Sequence, residues 1–459
     1  MRIEGFPAYR GALREELVGI VGSNWVSAGD ADRMTYARDM STTGILRIRR
    51  GRIEQPPDFV VWPANEDQVA ALLVMAARLD VPVVPYGCGS GVCGGAVPVN
   101  NGLVIDLKRL DKLLTVEERS CTATAEAGII GERLERSLNA RGYTMGHFPS
   151  SMYCSTLGGW VVTRSAGQLS TLYGKIEDMV TGLRLLTTDG RAHDLTVGVT
   201  AVPGINAGSL IMGSEGTMGI VTRASFRIHP LPPCRRFAAA MFPDIESGLG
   251  AVRELLQGDA TPAAVRLYDE FDTMLVGSRA RGDGLLSAFS LEGLGGLFKP
   301  LAKQLYKKGE AALLAHPEVL GRLETLVPAR CLLVLTFEGD PQITAHDLET
   351  AMTVCRRQDG EPVGPAPAEK WWNNRYHVSY NASKVYESGS FVDTMETATT
   401  WDRLVALYRG VRAALAPRFF VMAHFSHAYR TGCSIYFTVV GKGADLDDGV
   451  ARHAQMWRA

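Results

Sequence analysis

The sequence predicts an α+β protein assembled from successive parts, and three observations carry that reading. Short apolar runs alternate with amphipathic stretches over residues 56–232. Pro230, Pro232 and Pro233 then punctuate the chain, as at a domain boundary. Beyond them the composition changes, with a glycine-rich and then basic stretch from Gly282 to Gly309 and a Pro/Gly loop from Gly360 to Pro367. Residues 1–55 read as a polar helical segment, 56–232 as the first folded part and 233–459 as the second. A length of 459 residues suits two or three domains.

The elements follow in order. Arg47-Ile48-Arg49-Arg50-Gly51-Arg52 reads as a solvated basic face, and Pro56-Pro57 ends the first segment. Asp58 to Pro63 is a strand. Asn65 caps a helix, with Gln68 at the capping-box position and Val69, Leu72, Leu73 and Ala76 on one apolar face. Val81 to Pro85 is the next strand, too apolar for an exposed edge. Gly102 to Leu107 and the alternating Cys121 to Gly128 give two more strands, Gly131 to Arg141 a helix, and Gly219 to Ile228 a closing strand.

Composition narrows the function classes. A formal net charge of −1 gives no field for nucleic acid. The N-terminus shows no apolar run of a secretory signal, and the longest apolar stretch, Leu195 to Met212, is broken by glycines and Pro203. A cytoplasmic or peripheral membrane protein is expected. The eight cysteines are scattered without Cys-x-x-Cys or zinc spacing, so reduced thiols and no metal are expected.

Three segments carry chemistry. Pro85-Tyr86-Gly87-Cys88-Gly89-Ser90-Gly91-Val92-Cys93-Gly94-Gly95 follows a buried strand directly, and glycines let backbone N–H groups encircle phosphate oxygens. It lacks the Gly-Lys-Ser/Thr of a Walker loop and is not a clean Gly-x-Gly-x-x-Gly. Taken alone it also reads as a structural glycine loop. The second runs from Pro149 through Trp160 to Gly167, rich in hydroxyls and small residues. The third is Gly213-Ser214-Glu215-Gly216-Thr217-Met218-Gly219, entering the last strand of the first part.

Together with PDFVVWP, EAGIIGERLER, YGKIEDMV and, past the boundary, VRLYD, FVDTMETA, WDR and GCSIYFT, these segments resemble FAD-binding flavoproteins of the vanillyl-alcohol-oxidase type. Within that superfamily the likeness is to the alkyldihydroxyacetonephosphate synthase family, over residues from about 55 to 440. The resemblance implies a two-subdomain FAD-binding (PCMH-type) domain followed by an α+β cap domain that shapes the substrate site. It places cofactor contacts at Pro85, Tyr86, Gly87, Cys88, Gly89, Ser90, Gly91 and Val92 on the pyrophosphate side. Further contacts fall at Pro149, Ser150, Ser151, Met152, Tyr153, Cys154, Ser155, Gly158, Gly159, Val162, Thr163, Arg164, Ser165 and Ala166. The third segment adds Glu215, Gly216, Thr217, Gly219 and Ile220. Covalent relatives bond the flavin through a histidine of the first loop; Ser90 stands near that place here, which implies non-covalent FAD.

The same resemblance matches Tyr436 to the family's proton-transfer tyrosine and Arg266 to an arginine needed for function. A strand tyrosine in a core, and a structural pair of Arg266 with Asp269 or Glu270, are the other readings of those residues. His424 and His427 have a titration range suited to acid–base work, or are ordinary hydrogen-bonded histidines. Their spacing puts them on opposite faces of a regular strand, so both can face Tyr436 only across a bulge or turn. The implied activity is exchange of an acyl group for a fatty alcohol in ether-lipid synthesis, on a lipid-like substrate. An FAD-linked oxidase or dehydrogenase of a hydroxy acid or alcohol, and a flavin-binding remnant, are the alternatives. A homodimer is also expected.

Two departures from the family bear on that activity. No arginine stands in Tyr380-Asn381-Ala382-Ser383-Lys384, where the family has a substrate-binding one, and Lys384 is the cation close by. The family pattern also continues past the point matching Ala459, with a triple-histidine cluster, so the 459-residue chain is expected to bind FAD and exchange poorly. Leu285 to Leu314, apolar residues interleaved with Lys299, Lys303, Lys307 and Lys308, is expected to meet a membrane surface or line a lipid entrance, or to be an amphipathic cap helix. The purified protein should be yellow and release intact FAD on acid treatment. Flavin fluorescence that stays on the protein band of a denaturing gel would contradict the non-covalent reading.

Overall fold

A computed structural model describes residues 10–51, 53, 55–197, 206–274, 330–377, 386 and 389–459. The Leu285–Leu314 stretch and the Tyr380–Lys384 stretch lie outside the described residues. The chain divides into two compact units, Met1–Gly167 with Tyr173–Leu231, and Gln168–Leu172 with Pro232–Ala459.

The first unit holds two sheets. In one, β1 (Val26–Ser27), β2 (Phe59–Val61), β3 (Val83–Tyr86) and β4 (Leu103–Asp106) lie in the order β1-β2-β4-β3. β4 runs parallel to both β2 and β3. Every residue of β2 and β4 is buried, as parallel strands covered on both faces require. β3 departs from the sequence expectation: it is the edge of this sheet, and Val83, Val84 and Pro85 are only half-buried. Pro82 and Pro85 lack the N–H a second neighbour would need, which suits an edge.

Helix Glu66–Arg78 packs on this sheet as its pattern predicts. Asn65 Oδ1 accepts the Gln68 N–H at 3.0 Å, and Gln68 Oε1 accepts the Ala64 N–H at 2.7 Å. Val69, Leu72, Leu73 and Ala76 are buried with Phe59, Val61, Leu103 and Ile105. The N-terminal segment is less polar in effect than expected. Leu13, Leu17 and Val21, one stripe of helix Arg10–Val21, join that core, and Val26 adds a strand to the sheet.

The other sheet is antiparallel: β5 (Leu113–Glu117), β6 (Thr122–Glu126), β8 (Val180–Leu186), β9 (Ala192–Thr196) and β10 (Ile220–Arg227), in the order β5-β6-β10-β8-β9. A short ribbon pairs β7 (Tyr143–Thr144) with β11 (His229–Pro230). Glu66 ties the helix to this sheet through Arg184 at 2.6 Å and Arg223 at 3.3 Å.

Among the described residues the second unit is built on one antiparallel sheet of seven strands. β12 (Cys234–Phe242), β13 (Ala264–Tyr268), β14 (Cys331–Gly339), β15 (Glu361–Pro362), β16 (Ser390–Thr400), β17 (Phe420–Ala428) and β18 (Gly432–Lys442) follow the order β15-β12-β14-β13-β17-β18-β16. The two faces differ. On one, Leu267 meets helix Ile245–Gln257 so closely that a Cβ on Gly248 would stand 2.8 Å from it, and Phe425 and Phe437 meet Tyr408 of helix Trp401–Leu415. On the other, Tyr268, Leu332, Val334 and Ala239 cluster with Ala368 and Trp371 of helix Ala366–Asn374. Among the described residues no helix is long and apolar enough to cross a membrane.

Asp269, fully buried just after β13, holds this unit together. Its carboxylate accepts from Ala423 N–H at 2.7 Å, Asp272 N–H at 2.9 Å, Arg412 at 3.0 Å and the Tyr408 hydroxyl at 3.3 Å. Asp269→Ala would remove the carboxylate that Arg412, whose side chain is 11% exposed, pairs with. A loss of about 3–5 kcal/mol is expected, read as a lower urea midpoint of this unit's transition. An unchanged midpoint would show that the site tolerates loss of that carboxylate.

Candidate active site

The three glycine-rich segments meet at the end of β3. A Cβ on Gly87 would stand 2.4 Å from Thr156 Oγ1, and one on Gly216 2.4 Å from the ring of Pro85. A Cβ on Gly95 would meet the Glu215 carboxylate, and one on Gly213 would lie 2.7 Å from the Arg164 side chain. Backbone bonds lock the second segment to the third, Glu215 N–H to Val162 C=O at 2.9 Å and Gly213 N–H to Val161 C=O at 3.3 Å. Thr156 caps helix Leu157–Thr163 by accepting the Gly159 N–H at 3.2 Å. Gly158 fits against Ala127, where a Cβ would stand 2.8 Å from its neighbour's.

The first loop turns at Gly89, with φ of +62°. Among the described residues, the amides of Cys88, Gly89, Ser90 and Gly91 have no acceptor within the protein. Consecutive unsatisfied N–H groups in a tight turn form an anion cradle. Burial pushes the Cys88 thiol up to about 11 and the Tyr86 phenol up to about 12, so neither adds negative charge beside it. Ser214 Oγ, in the third segment, is a buried hydroxyl without a partner. These features fit a pyrophosphate and its attached ribityl oxygens.

The other predicted contacts divide by role. Ser155 Oγ is spent inside the fold, donating to Ser151 C=O at 2.8 Å and accepting Trp160 Nε1–H at 2.7 Å. Thr163 donates to Gly159 C=O at 2.8 Å, and Thr217 to Ser214 C=O at 2.7 Å. Ile220 belongs to the buried core. Arg164 ends its helix at φ of +53° and stays half-exposed, and Tyr153 is exposed.

Sequence reasoning missed the groups that hold the loop from outside. Asp39, buried in the N-terminal segment, accepts Gly94 N–H at 2.6 Å and Ser41 N–H at 2.9 Å, while Met40 N–H reaches Gly91 C=O at 2.8 Å. Lys108 donates to Gly87 C=O at 2.7 Å and pairs with buried Asp106 at 2.5 Å. Asp106 also accepts from Tyr36 and from Trp62, and burial with that carboxylate drives the Tyr36 phenol far up. His147 stands edge-on to Trp160 at 4.7 Å and bonds Ser165 at 2.8 Å. Its only advance signal is its place directly before Phe148-Pro149.

In the second unit the register assembles the other predicted residues. Tyr268 pairs with His424, His424 with Tyr436 and Tyr436 with Glu396, so the four share one face. That face also carries Arg266, opposite Ser426. The His424 and Tyr436 rings stack at 4.8 Å with 22° between planes. Arg266 Nη2 lies 3.1 Å from His424 Nδ1, and Asp272 Oδ2 lies 3.2 Å from the same nitrogen. Asp269 is occupied by Arg412, and Arg266 keeps a buried Nε without a partner.

A bulge does occur between Ser426 and Ala428, with His427 at φ of +51°. It swings His427 to 3.9 Å from Glu396, the neighbour of Tyr436, and to 2.8 Å from Ser170 Oγ. Burial first, then the adjacent guanidinium, lower His424 to about 4. Burial raises the Tyr436 phenol. At neutral pH both rings are uncharged. Among the described residues no Cys, His, Asp and Glu group is arranged to hold a metal.

Residues 57–196 match the FAD binding domain family, and residues 231–458 the C-terminal domain of FAD linked oxidases. The chain belongs to the FAD-linked oxidase flavoproteins and takes FAD as its cofactor. Within that class it is similar to alkyldihydroxyacetonephosphate synthases. It is 28% identical to that of Dictyostelium discoideum over 91% of this chain and 66% of the relative, and 28% identical to that of Trypanosoma brucei brucei over 96% and 70%. The chain thus spans about two-thirds of the length of these relatives. A solved alkyldihydroxyacetonephosphate synthase superposes with a TM-score of 0.80 at 26% identity, covering 100% of this chain and 80% of that one.

The depressed His424 value has a stability consequence. An unfolded histidine protonates near 6.5, the folded one near 4. Between those values the unfolded chain binds the extra proton, so stability falls as pH drops through the window, by on the order of 3 kcal/mol in all. His424→Asn should flatten this dependence. The check is the urea midpoint of both proteins from pH 7 to pH 4; equal slopes would place the acid sensitivity elsewhere.

Proposed function

We propose that this chain is an alkyldihydroxyacetonephosphate-synthase-like enzyme, exchanging the acyl group of a lipid-like substrate for a fatty alcohol without net oxidation. Residues 56–232 form its FAD-binding part and residues 233–459 its substrate part. The observation that carries the reading is the uncharged His424–Tyr436 stack with Arg266 against it. It is supported by similarity to the synthases over nearly the whole chain.

Bound FAD supplies a nucleophilic ring nitrogen for the substrate carbon. The amides of Cys88 to Gly91 hold the pyrophosphate, Asp39 and Lys108 keep that loop in shape, and the segments beginning at Pro149 and Gly213 bind the rest of the cofactor. Tyr436 moves the proton. Burial raises its pKa and keeps the hydroxyl a donor at neutral pH, and the neutral His424 ring stacked on it adds no positive charge to that of Arg266. Arg266 orients His424 through Nδ1 and offers its free Nε–H to a substrate oxygen. His427, bridging Ser170 and the Glu396 side, is the route for proton exchange with solvent. A peripheral membrane contact through Leu285–Leu314 belongs to the same reading, supported by its interleaved lysines.

Tyr436→Phe should retain FAD and lose about 10²–10⁴ in exchange rate, measured as labelled hexadecanol converted with acyl-dihydroxyacetonephosphate to the alkyl product, with release of the fatty acid and without an electron acceptor. Substrate bleaching of the flavin by a hydroxy acid, with reoxidation by an acceptor and no exchange, would establish the oxidoreductase reading instead.

A further inference from the structure

Arg375 follows helix Ala366–Asn374, which lies on the sheet face that carries Arg266, His424 and Tyr436. Its guanidinium stands 3.7 Å from the ring centre of Trp372, and the Arg235 guanidinium stands 4.0 Å from the same centre. Two planar cations at those distances cannot share one ring face, so Trp372 is sandwiched between them. The sandwich is electrically unequal. Arg235 is paired with Glu338, its cross-strand neighbour. Arg375 makes no ion pair with a carboxylate among the described residues, and burial lowers its pKa while the nearby Glu338 charge acts the other way.

The hydrogen bonds of Arg375 leave its fork half used. Nη1 donates to Trp372 C=O at 2.5 Å, which caps the helix end, and Nη2 donates to the Tyr376 hydroxyl at 3.2 Å. Nε is buried without a partner. Capping a helix needs neither burial nor stacking on two aromatic rings. A desolvated guanidinium with a spare N–H and no carboxylate in contact is costly unless an anion arrives to complete it. Arg375 is also the cation next upstream of Tyr380–Lys384, the stretch in which the synthase family's substrate arginine has no counterpart here.

We propose that Arg375, steadied by Trp372 and Tyr376, is the binding site for the phosphate monoester of the substrate headgroup. The assignment rests on the synthase-like reading above. A dianionic phosphate accepts the free Nε–H and shares an Nη donor, a geometry suited to arginine rather than lysine. Arg266, already engaged with His424, is left to the reacting end of the molecule.

The test is calorimetric titration of the FAD-loaded chain with dihydroxyacetone phosphate and, separately, unphosphorylated dihydroxyacetone. Arg375→Met keeps the packing stem and should weaken the phosphorylated probe at least tenfold, leaving FAD content and the weak binding of dihydroxyacetone unchanged. Arg375→Lys should recover part of the loss. In turnover, KM for the acyl substrate should rise much more than kcat falls. Dihydroxyacetone phosphate binding Arg375→Met within twofold of wild type would overturn the assignment and leave the synthase reading standing. Wild type ignoring the phosphorylated probe while a 2-hydroxy acid bleaches its flavin would overturn both. Wild type supplies a check independent of variant folding. Dihydroxyacetone phosphate should slow modification of Arg375 by butanedione, followed by peptide mass spectrometry, and an unaltered rate would count against the site.

Discussion

The hydroxyl of Thr156 occupies the space a Cβ on Gly87 would need, and the ring of Pro85 occupies that of a Cβ on Gly216. Three segments distant in sequence can therefore touch backbone to side chain at one strand end. In the first of these segments the amides of Cys88 to Gly91 have no acceptor among the described residues. A side chain at either glycine would push the segments apart and dissolve the cradle. The surrounding unit serves this approach: β3 carries the first loop to the place, Thr156 caps the helix that carries the second, and Val162 receives the third.

The second unit meets a different requirement, keeping an uncharged imidazole and phenol beside an arginine. Antiparallel register solves it by putting Tyr268, His424, Tyr436 and Glu396 in one row, where neighbouring side chains stand about 5 Å apart. Burial then holds the His424 imidazole and the Tyr436 phenol neutral. The bulge at His427 breaks the alternation once, and so lets a residue three positions from His424 reach the same neighbourhood. Helix Ala366–Asn374 covers the β12–β14 side of the same face and delivers Arg375 and Trp372 over it. Two guanidinium Nε atoms there, of Arg266 and Arg375, are buried without partners. Buried donors of that kind call for a partner such as an ordered water, an ion or a ligand.

The amino-acid sequence by itself determined the strand and helix sites whose periodicity is strong. Helix Glu66–Arg78 with its Asn65 cap and the buried runs Phe59–Val61 and Leu103–Asp106 are local consequences of capping chemistry and continuous apolar side chains. FAD was legible through the family resemblance that the three segments carry together; the glycine loop taken alone also read as structural. Tyr436, Arg266 and the two histidines could be named as candidates, but their mutual arrangement could not. Only the tertiary structure decided that β3 is an edge, that Arg266 meets His424 while Asp269 goes to Arg412, and that His427 turns through a bulge. It also brought in Asp39, Lys108, His147 and Arg375, ordinary residues in sequence. The roles of the first three arise from hydrogen bonds and ring contacts between segments distant in sequence, and that of Arg375 from a ring shared with Arg235; these depend on register and packing, and neither is encoded within a local window.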